Sequence, residues 1–302
     1  MELLIEWGYN VIQFLQAYRN PVLDTLFKVL SFMGEEEFYL LLMPLLYWVV
    51  DKRLATRFAL LFLLSVYLNM VFKALVSEPR PAPSRVLVLA NLSSGGLPSG
   101  HAQNGVVSAG FLAHESSWRW FRWTMGAFIL GNGLSRLYLG VHFPHDVLVG
   151  WAIGGLLLLL YFAIAPRFEV WFASQTRVSQ VVFGATVTLL LASLFLQQEA
   201  FSAMATLFGL AVGVPVEREK VAFHSAVRGV GQVLGRILLG LMVLLLIWRG
   251  LKPFLELFGA PGDFVRYALM GLWVSVGAPW MFAASGLASR EPHEPTVREA
   301  IP

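Results

Sequence analysis

Three short stretches of the sequence hold side chains able to manage a doubly charged anion: Lys73 to Arg80-Pro81 in KALVSEPRP, Pro98-Ser99-Gly100-His101, and SRLYLGVHFPHD from Ser135 to Asp146. Lys73, Arg80 and Arg136 supply three cations. A guanidinium can hold two oxygens of a phosphate monoester at once, and an ammonium adds a point charge. A helix starting near His101 would aim the backbone N–H groups of Ser99, Gly100 and His101 at the same anion, and Gly100 lets the backbone come close. Pro144 suits the first turn of a following helix. Asp146 then sits in that turn and can accept a hydrogen bond from one ring nitrogen of His142, leaving the other to attack phosphorus. His101, on a different segment, is placed to protonate the leaving alkoxide and later to activate the water that breaks a phosphohistidine.

Each feature alone has a plainer reading: Lys73 or Arg136 snorkelling at a helix end, Arg80 as a loop arginine, Pro98-Ser99-Gly100 as an ordinary helix start, His142 with Asp146 as an interfacial polar pair. Their convergence at one end of at least three apolar segments favours a site, because ionisable residues are costly to keep at a membrane. A metal centre is disfavoured, since two histidines and one carboxylate among three cations repel Zn²⁺ rather than bind it. No cofactor is expected.

Lys73-x6-Arg80-Pro81, Pro98-Ser99-Gly100-His101 and Ser135-Arg136-x5-His142-x3-Asp146 match the three-part signature of the type 2 phosphatidic acid phosphatase superfamily, and the chain resembles that family over about residues 54–166. The superfamily includes lipid phosphate phosphatases, sphingosine-phosphate phosphatases and glucose-6-phosphatase. LNMVFK at 68–73 and HFPHD at 142–146, with the number of apolar segments, look more like the last two branches than the compact lipid phosphatases. The resemblance implies a metal-independent phosphatase with a phosphohistidine on His142 and His101 as general acid, the phosphate touching Lys73, Arg80, Ser99, Gly100, His101 and Arg136. The substrate expected first is a lipid phosphate monoester or diphosphate entering sideways from the bilayer. Two alternatives stay open: hydrolysis of a soluble sugar phosphate, and a non-catalytic membrane protein that keeps a phosphate pocket. A vanadate-dependent oxidation is disfavoured by the membrane-embedded chain.

The elements that must position these residues are apolar. Of the 302 residues 57% are hydrophobic and 14% charged, against about 25% charged in soluble proteins. The chain is expected to be all-α, a polytopic membrane helical bundle. Segments near the roughly 20 residues a bilayer crossing needs recur at 36–50, 54–76, 101–115, 118–137, 145–166, 179–196, 199–216, 232–249 and 264–286, about nine in all. Residues 1–33 read as one or two interfacial pieces broken at Asn20-Pro21, with Trp7, Phe14, Tyr18 and Phe27 as anchors. No cleavable signal is read at MELLIEWGYN. One integral membrane domain is expected, with a catalytic core at about 54–166, a membrane extension at about 167–288 in which no motif is legible, and a polar tail at 289–302 read as mobile.

Cysteine is absent, which removes disulfides and thiolate chemistry. The net charge of +3 is carried by scattered cations without a basic stripe, so nucleic acid is not a partner; membrane lipids and a phosphate ester are. Lys52, Arg53, Arg57, Arg119, Arg122, Arg167, Arg177, Arg218, Lys220 and Arg228 fall in loops on one side, with Arg249 and Lys252 as exceptions. That side is cytoplasmic by the positive-inside rule, which puts the site on the extracytoplasmic face. Trp118, Trp120 and Trp123 read as an interfacial belt, and Gly150-x-x-x-Gly154 and Gly231-x-x-x-Gly235 as close helix contacts.

Asn69 lies four residues before Lys73, Asn104 three after His101 and Asn132 four before Arg136, so each shares a helical face with a site residue. They read first as interhelical hydrogen-bonding groups, second as a polar floor for substrate hydroxyls. His145 either tunes the pocket entrance or stands by. His114, His224 and His293 read as solvent-facing, and Asn91-Leu92-Ser93 is a glycosylation sequon.

Overall fold

In the computed structural model of the chain, residues 2–76, 78–90 and 94–290 are described; the Asn91 sequon and the tail beyond Arg290, His293 included, lie outside them. The described elements are helices, with one isolated bridge between Phe223 and Arg290. The chain forms two compact units, Met1–Leu40 with Leu60–Trp171, and Leu41–Ala59 with Phe172–Pro302. Residues 1–40 thus join the motif-bearing unit.

That unit holds α1 (Glu2–Ala17), α2 (Pro21–Phe32), the start of α3 (Glu36–Leu45), most of α4 (Lys52–Val76), α5 (Gly100–Glu115), α6 (Arg119–Tyr138) and nearly all of α7 (Pro144–Ser174). The break after α1 follows from Asn20, whose Oδ1 accepts from the amides of Val22 and Leu23, each at 3.0 Å, with Pro21 at the first helical position. Both N-terminal helices pack on α6 instead of only lying at an interface. Phe27 stacks on Tyr138 with centroids 4.4 Å apart, and the Tyr138 hydroxyl donates to Asp24 at 2.7 Å. Gln16 clamps the chain after α6 by donating to the carbonyls of Tyr138 (2.9 Å) and Leu87 (2.7 Å). Tyr9 meets Phe143 edge-on at 5.1 Å and accepts from the Ala82 amide at 3.0 Å. Such an aromatic pair adds about 0.5–1.5 kcal/mol beyond its buried area. Of the four expected anchors, Trp7, Phe14 and Tyr18 stay exposed and Phe27 does not.

Close approach of α7 to α5 needs its glycines: a Cβ at Gly150 would lie 2.6 Å from the Ser99 carbonyl, and one at Gly154 2.7 Å from that of Gln103. The second glycine pair behaves differently. Gly235 abuts Leu287, while Gly231 faces open space.

The other unit contains α8 (Arg177–Leu194), α9 (Gln198–Val216), α10 (Val230–Leu245), the short α11 (Lys252–Leu255), α12 (Ala260–Leu272) and α13 (Ala278–Ala284), several joined by widened turns. Its buried cations are structural. Arg236 donates to the carbonyls of Trp48 (2.8 Å), Ser225 (2.6 Å) and Leu287 (3.1 Å). Lys52, counted from the sequence as a loop cation, is buried 3.1 Å from the buried carboxylate of Glu217.

Six of the described helices are long and apolar enough to cross a membrane: Lys52–Val76, Pro144–Ser174, Arg177–Leu194, Gln198–Val221, Val230–Phe258 and Ala260–Ala284. The other three segments expected to span are helical but fall short of that measure. Residues 36–50 open on Glu36 and Glu37 and carry only ten α-helical residues before a widened turn. The 16 residues of α5 rise about 24 Å, less than the roughly 30 Å hydrocarbon core. In α6 the 20 residues include Arg119, Arg122 and Arg136.

Candidate active site

The chain leaves α6 at Tyr138, turns through Gly140 at φ +70°, and re-enters a helix at Pro144. A left-handed residue there is cheapest as glycine. The turn delivers His142 and Asp146 to one buried point, 1% and 0% exposed. Asp146 Oδ2 lies 3.1 Å from His142 Nδ1 and accepts from the Phe143 amide at 2.9 Å.

On the far side of the ring, Arg80 Nη1 is 3.2 Å from His142 Nε2 and also donates to the Val141 carbonyl at 2.9 Å. A guanidinium has only donors. Nε2 is therefore the acceptor of this contact, and the ring proton sits on Nδ1, facing the carboxylate. Burial first, then the charges of Arg80, Arg136 and Lys73, hold the His142 imidazole well below its ordinary value.

Ser94 joins the other motif cations. Its hydroxyl accepts from Lys73 at 2.7 Å and its carbonyl from Arg80 Nε at 2.7 Å. Arg136, buried near the end of α6, donates through Nη1 to the hydroxyl of Ser31 on α2.

Ser99 caps α5, its hydroxyl accepting from the Ala102 amide at 3.4 Å. The Ser99 amide itself donates to the Asp146 carbonyl at 3.0 Å. That bond ties the PSGH turn to the histidine turn, so an anion cannot use the Ser99 N–H as the sequence suggested. The amides of Gly100 and His101 keep the outward aim of any first helical turn.

His101 has a partner that spacing alone did not indicate. Its Nε2 lies 3.2 Å from Oε1 of Glu35, in the turn between α2 and α3. This contact, helped by the charges of His101 and Arg136 and opposed by burial, holds the Glu35 carboxyl below its usual range.

The three asparagines all make contacts between helices. Asn69 donates to Gln103 at 2.9 Å, Asn104 accepts from Ser65 at 2.7 Å, and Asn132 donates to the Leu30 carbonyl at 2.8 Å. Those contacts use part of the amides' capacity, the buried Oδ1 of Asn132 having no hydrogen-bond partner among the described residues.

Lys73, Arg80, Ser99, His142 and Asp146 are thus linked through direct bonds, with Ser94 between Lys73 and Arg80; Arg136 and His101 bear on His142 by charge. Glu35, Ser31, Ser94 and Gln103 were missed by the sequence reading. Of these only Glu35 carried a hint, as part of the run Glu35-Glu36-Glu37 between apolar segments. His145 Nε2 lies 3.3 Å from Glu78 and 3.4 Å from Asp146 Oδ1. Among the described residues these three could hold a cation, their ligand atoms lying within 4.8 Å of one another.

Residues 54–169 match the family model described as PAP2 superfamily, and residues 201–290 match PAP2 superfamily phosphatase, transmembrane extension. The chain is 28% identical over 271 residues to lipid phosphate phosphatase delta of Arabidopsis thaliana, covering 80% of this chain and 65% of that protein. It is 31% identical over 157 residues to sphingosine-1-phosphate phosphatase 2 of Homo sapiens, covering 49% of this chain and 39% of that one. It therefore spans less than two thirds of either. Glucose-6-phosphatase 3 of Bos taurus is 25% identical over 324 aligned residues, covering 88% and 92%. The second family match falls on the stretch in which no motif could be read.

Proposed function

The chain belongs to the PAP2 superfamily, and from that premise we propose that it is a membrane phosphatase hydrolysing a lipid phosphate monoester or diphosphate without a metal. Lys73, Arg80 and Arg136 hold the phosphoryl oxygens with the Gly100 and His101 amides. His142 Nε2 attacks phosphorus, the bond to the alcohol oxygen breaks, and His101 protonates that oxygen. Asp146 stabilises the Nδ1–H of His142 as positive charge develops on the ring. Water then attacks the phosphohistidine while His101 takes its proton, the N–P bond breaks, and phosphate leaves.

The observation that carries this reading is the tautomer. Arg80 takes the lone pair of Nε2 at 3.2 Å and Asp146 takes the proton of Nδ1 at 3.1 Å, so the nitrogen that must attack already faces the guanidinium that would hold the phosphate. Charge supports the absence of a metal from the mechanism, because the cations supply the neutralisation a metal would otherwise give. A lipid substrate is supported by the site's place at helix ends next to apolar spans and by the names of the first two relatives. The loop cations support an extracytoplasmic site, and α5 and α6, packed as a pair, are read as further crossings of the core.

Phosphate release by the purified protein in detergent with chelator, across phosphatidate, sphingosine phosphate, prenyl diphosphate and glucose 6-phosphate, tests the proposal. Turnover is expected on the lipid esters. Turnover of the sugar ester alone would favour the second reading, a sugar phosphatase, which the bovine relative supports because this chain covers 92% of it. Silence on every ester by folded protein would favour a phosphate-binding protein.

A further inference from the structure

Resting on the phosphatase reading above, we propose that Glu35 is the positioning residue of the general acid: its carboxylate holds His101 at Nε2, so that the proton handed to the leaving alkoxide is the one on Nδ1. Oε1 and Nε2 lie 3.2 Å apart, an ion-pair distance without hydrogen-bond alignment. The neighbouring residue packs beside it: a Cβ added at Gly34 would lie 2.5 Å from His101 Cδ2 and 3.2 Å from Cγ, so the turn presses on the Cδ2 side of the ring while Glu35 faces Nε2. Nδ1 is the ring nitrogen that remains for the alkoxide.

The segment carrying Glu35 is anchored to the helix that carries Arg136. Asn132 donates to the Leu30 carbonyl at 2.8 Å and Arg136 donates to the Ser31 hydroxyl. Two turn bonds, Gly34 N to Ser31 O at 2.8 Å and Glu35 N to Phe32 O at 3.0 Å, carry that anchoring to the carboxylate. Placement of the acid is therefore tied to the helix that grips the phosphate.

Charge explains why an anion is needed. A negative neighbour favours the protonated imidazole against the nearby cations, and Glu35 lies within electrostatic reach of both His101 and Arg136. In the first step the Nδ1 proton passes to the alkoxide oxygen while the Nε2 proton stays opposite Glu35. In the second, neutral His101 takes a proton from water at Nδ1 as the water oxygen bonds to phosphorus. The starting state is restored without any other reactant. The carboxylate touches no substrate atom in either step.

Leaving-group dependence separates this role from a structural one. Glu35→Gln, Glu35→Asp and His101→Asn are compared in the full chain on an amine-free alkyl phosphate, on sphingosine phosphate and on p-nitrophenyl phosphate, whose leaving group needs no proton. Since general acid catalysis contributes about 10²–10⁴-fold, Glu35→Gln is expected to lose roughly 10–100-fold on both alkyl esters and under about threefold on the nitrophenyl ester in kcat/KM, which reports the steps through release of the alcohol, with Glu35→Asp recovering most of the loss. The double variant with His101→Asn should lose no more than His101→Asn alone. Equal losses on all three esters, Glu35→Asp included, would mean a structural residue and overturn the proposal. A loss confined to sphingosine phosphate would mean that Glu35 binds the substrate ammonium, and would overturn it too. Inactivity of the wild type on every ester refutes the phosphatase reading itself, a result distinct from either.

Discussion

The site contains two imidazole–carboxylate pairs, and they are built in opposite ways. His142 and Asp146 are four residues apart across one loop-to-helix turn, buried, with the carboxylate fixed a second time by the Phe143 amide at 2.9 Å. His101 and Glu35 come from separate helical segments, and their side chains are 18% and 43% exposed. The first pair is a product of local backbone geometry: wherever Pro144 starts a helix, Asp146 falls under His142. The second exists only if the turn between α2 and α3 is seated on α5. On the proposed mechanism, the group that presents one lone pair is held by its own turn, and the group that gives and takes a proton is held by a distant one.

Breaking the local pair carries the largest expected effect. In Asp146→Asn a carbonyl oxygen at the Oδ2 position can still accept from both the Phe143 amide and His142 Nδ1–H, which meet that one oxygen, but the negative charge that stabilises the developing imidazolium is lost. The same change costs on the order of 10⁴ in kcat in a Ser-His-Asp triad. A loss of about 10²–10⁴ is expected here, with phosphohistidine no longer trapped by acid quench from labelled ester. A loss below tenfold would show that the Asp146 charge does not support His142.

The same contrast explains what was legible beforehand. Asp146 could be paired with His142 from spacing, and Arg80 could be grouped with the site from residue type, where its Nη1 lies 3.2 Å from His142 Nε2. Glu35 could not, because nothing in a sequence says which of three consecutive glutamates will meet a histidine on another helix. Ser94 and Ser31 were invisible for the same reason, being neutral residues recruited by tertiary contact. Most helices were legible from apolar runs, but α7 runs to Ser174, past the expected end at 166, because Pro166 sits inside it without ending it. Of the nine apolar runs, six form helices long and apolar enough to cross by themselves, and a short one such as α5 cannot be counted on length and composition alone. The buried Lys52–Glu217 pair shows a further limit: a cation next to an apolar run looks like a loop charge until its carboxylate partner folds onto it.

An intermediate effect is expected from crowding the distant pair without touching its charges. In Gly34→Ala the new methyl would lie 2.5 Å from His101 Cδ2 and 3.1 Å from Asn132 Nδ2, so the ring must move away from Glu35. Overpacking of this kind costs roughly 1–3 kcal/mol. About a tenfold drop in kcat/KM on an alkyl ester is expected, since 1.4 kcal/mol is a factor of ten, with p-nitrophenyl phosphate spared. An equal drop on both would place the strain on the fold and not on the acid.

The smallest expected effect is a difference in protonation at the local pair. His142 is held below the ordinary imidazole value of about 6.5, first by burial and then by Arg80, Arg136 and Lys73. With the folded value depressed, the unfolded chain binds more protons as pH falls through 6.5, so this residue's contribution to stability is whole above that pH and declines below it. In histidine-labelled protein, the His142 ring signals at pH 6.5 should be those of the neutral Nδ1–H tautomer. Adding inorganic phosphate, whose negative charge favours the imidazolium, should move the titration upward. A midpoint at or above 6.5 in the free protein would mean that the cations do not face the ring, and the reading of His142 as a nucleophile kept neutral would fail.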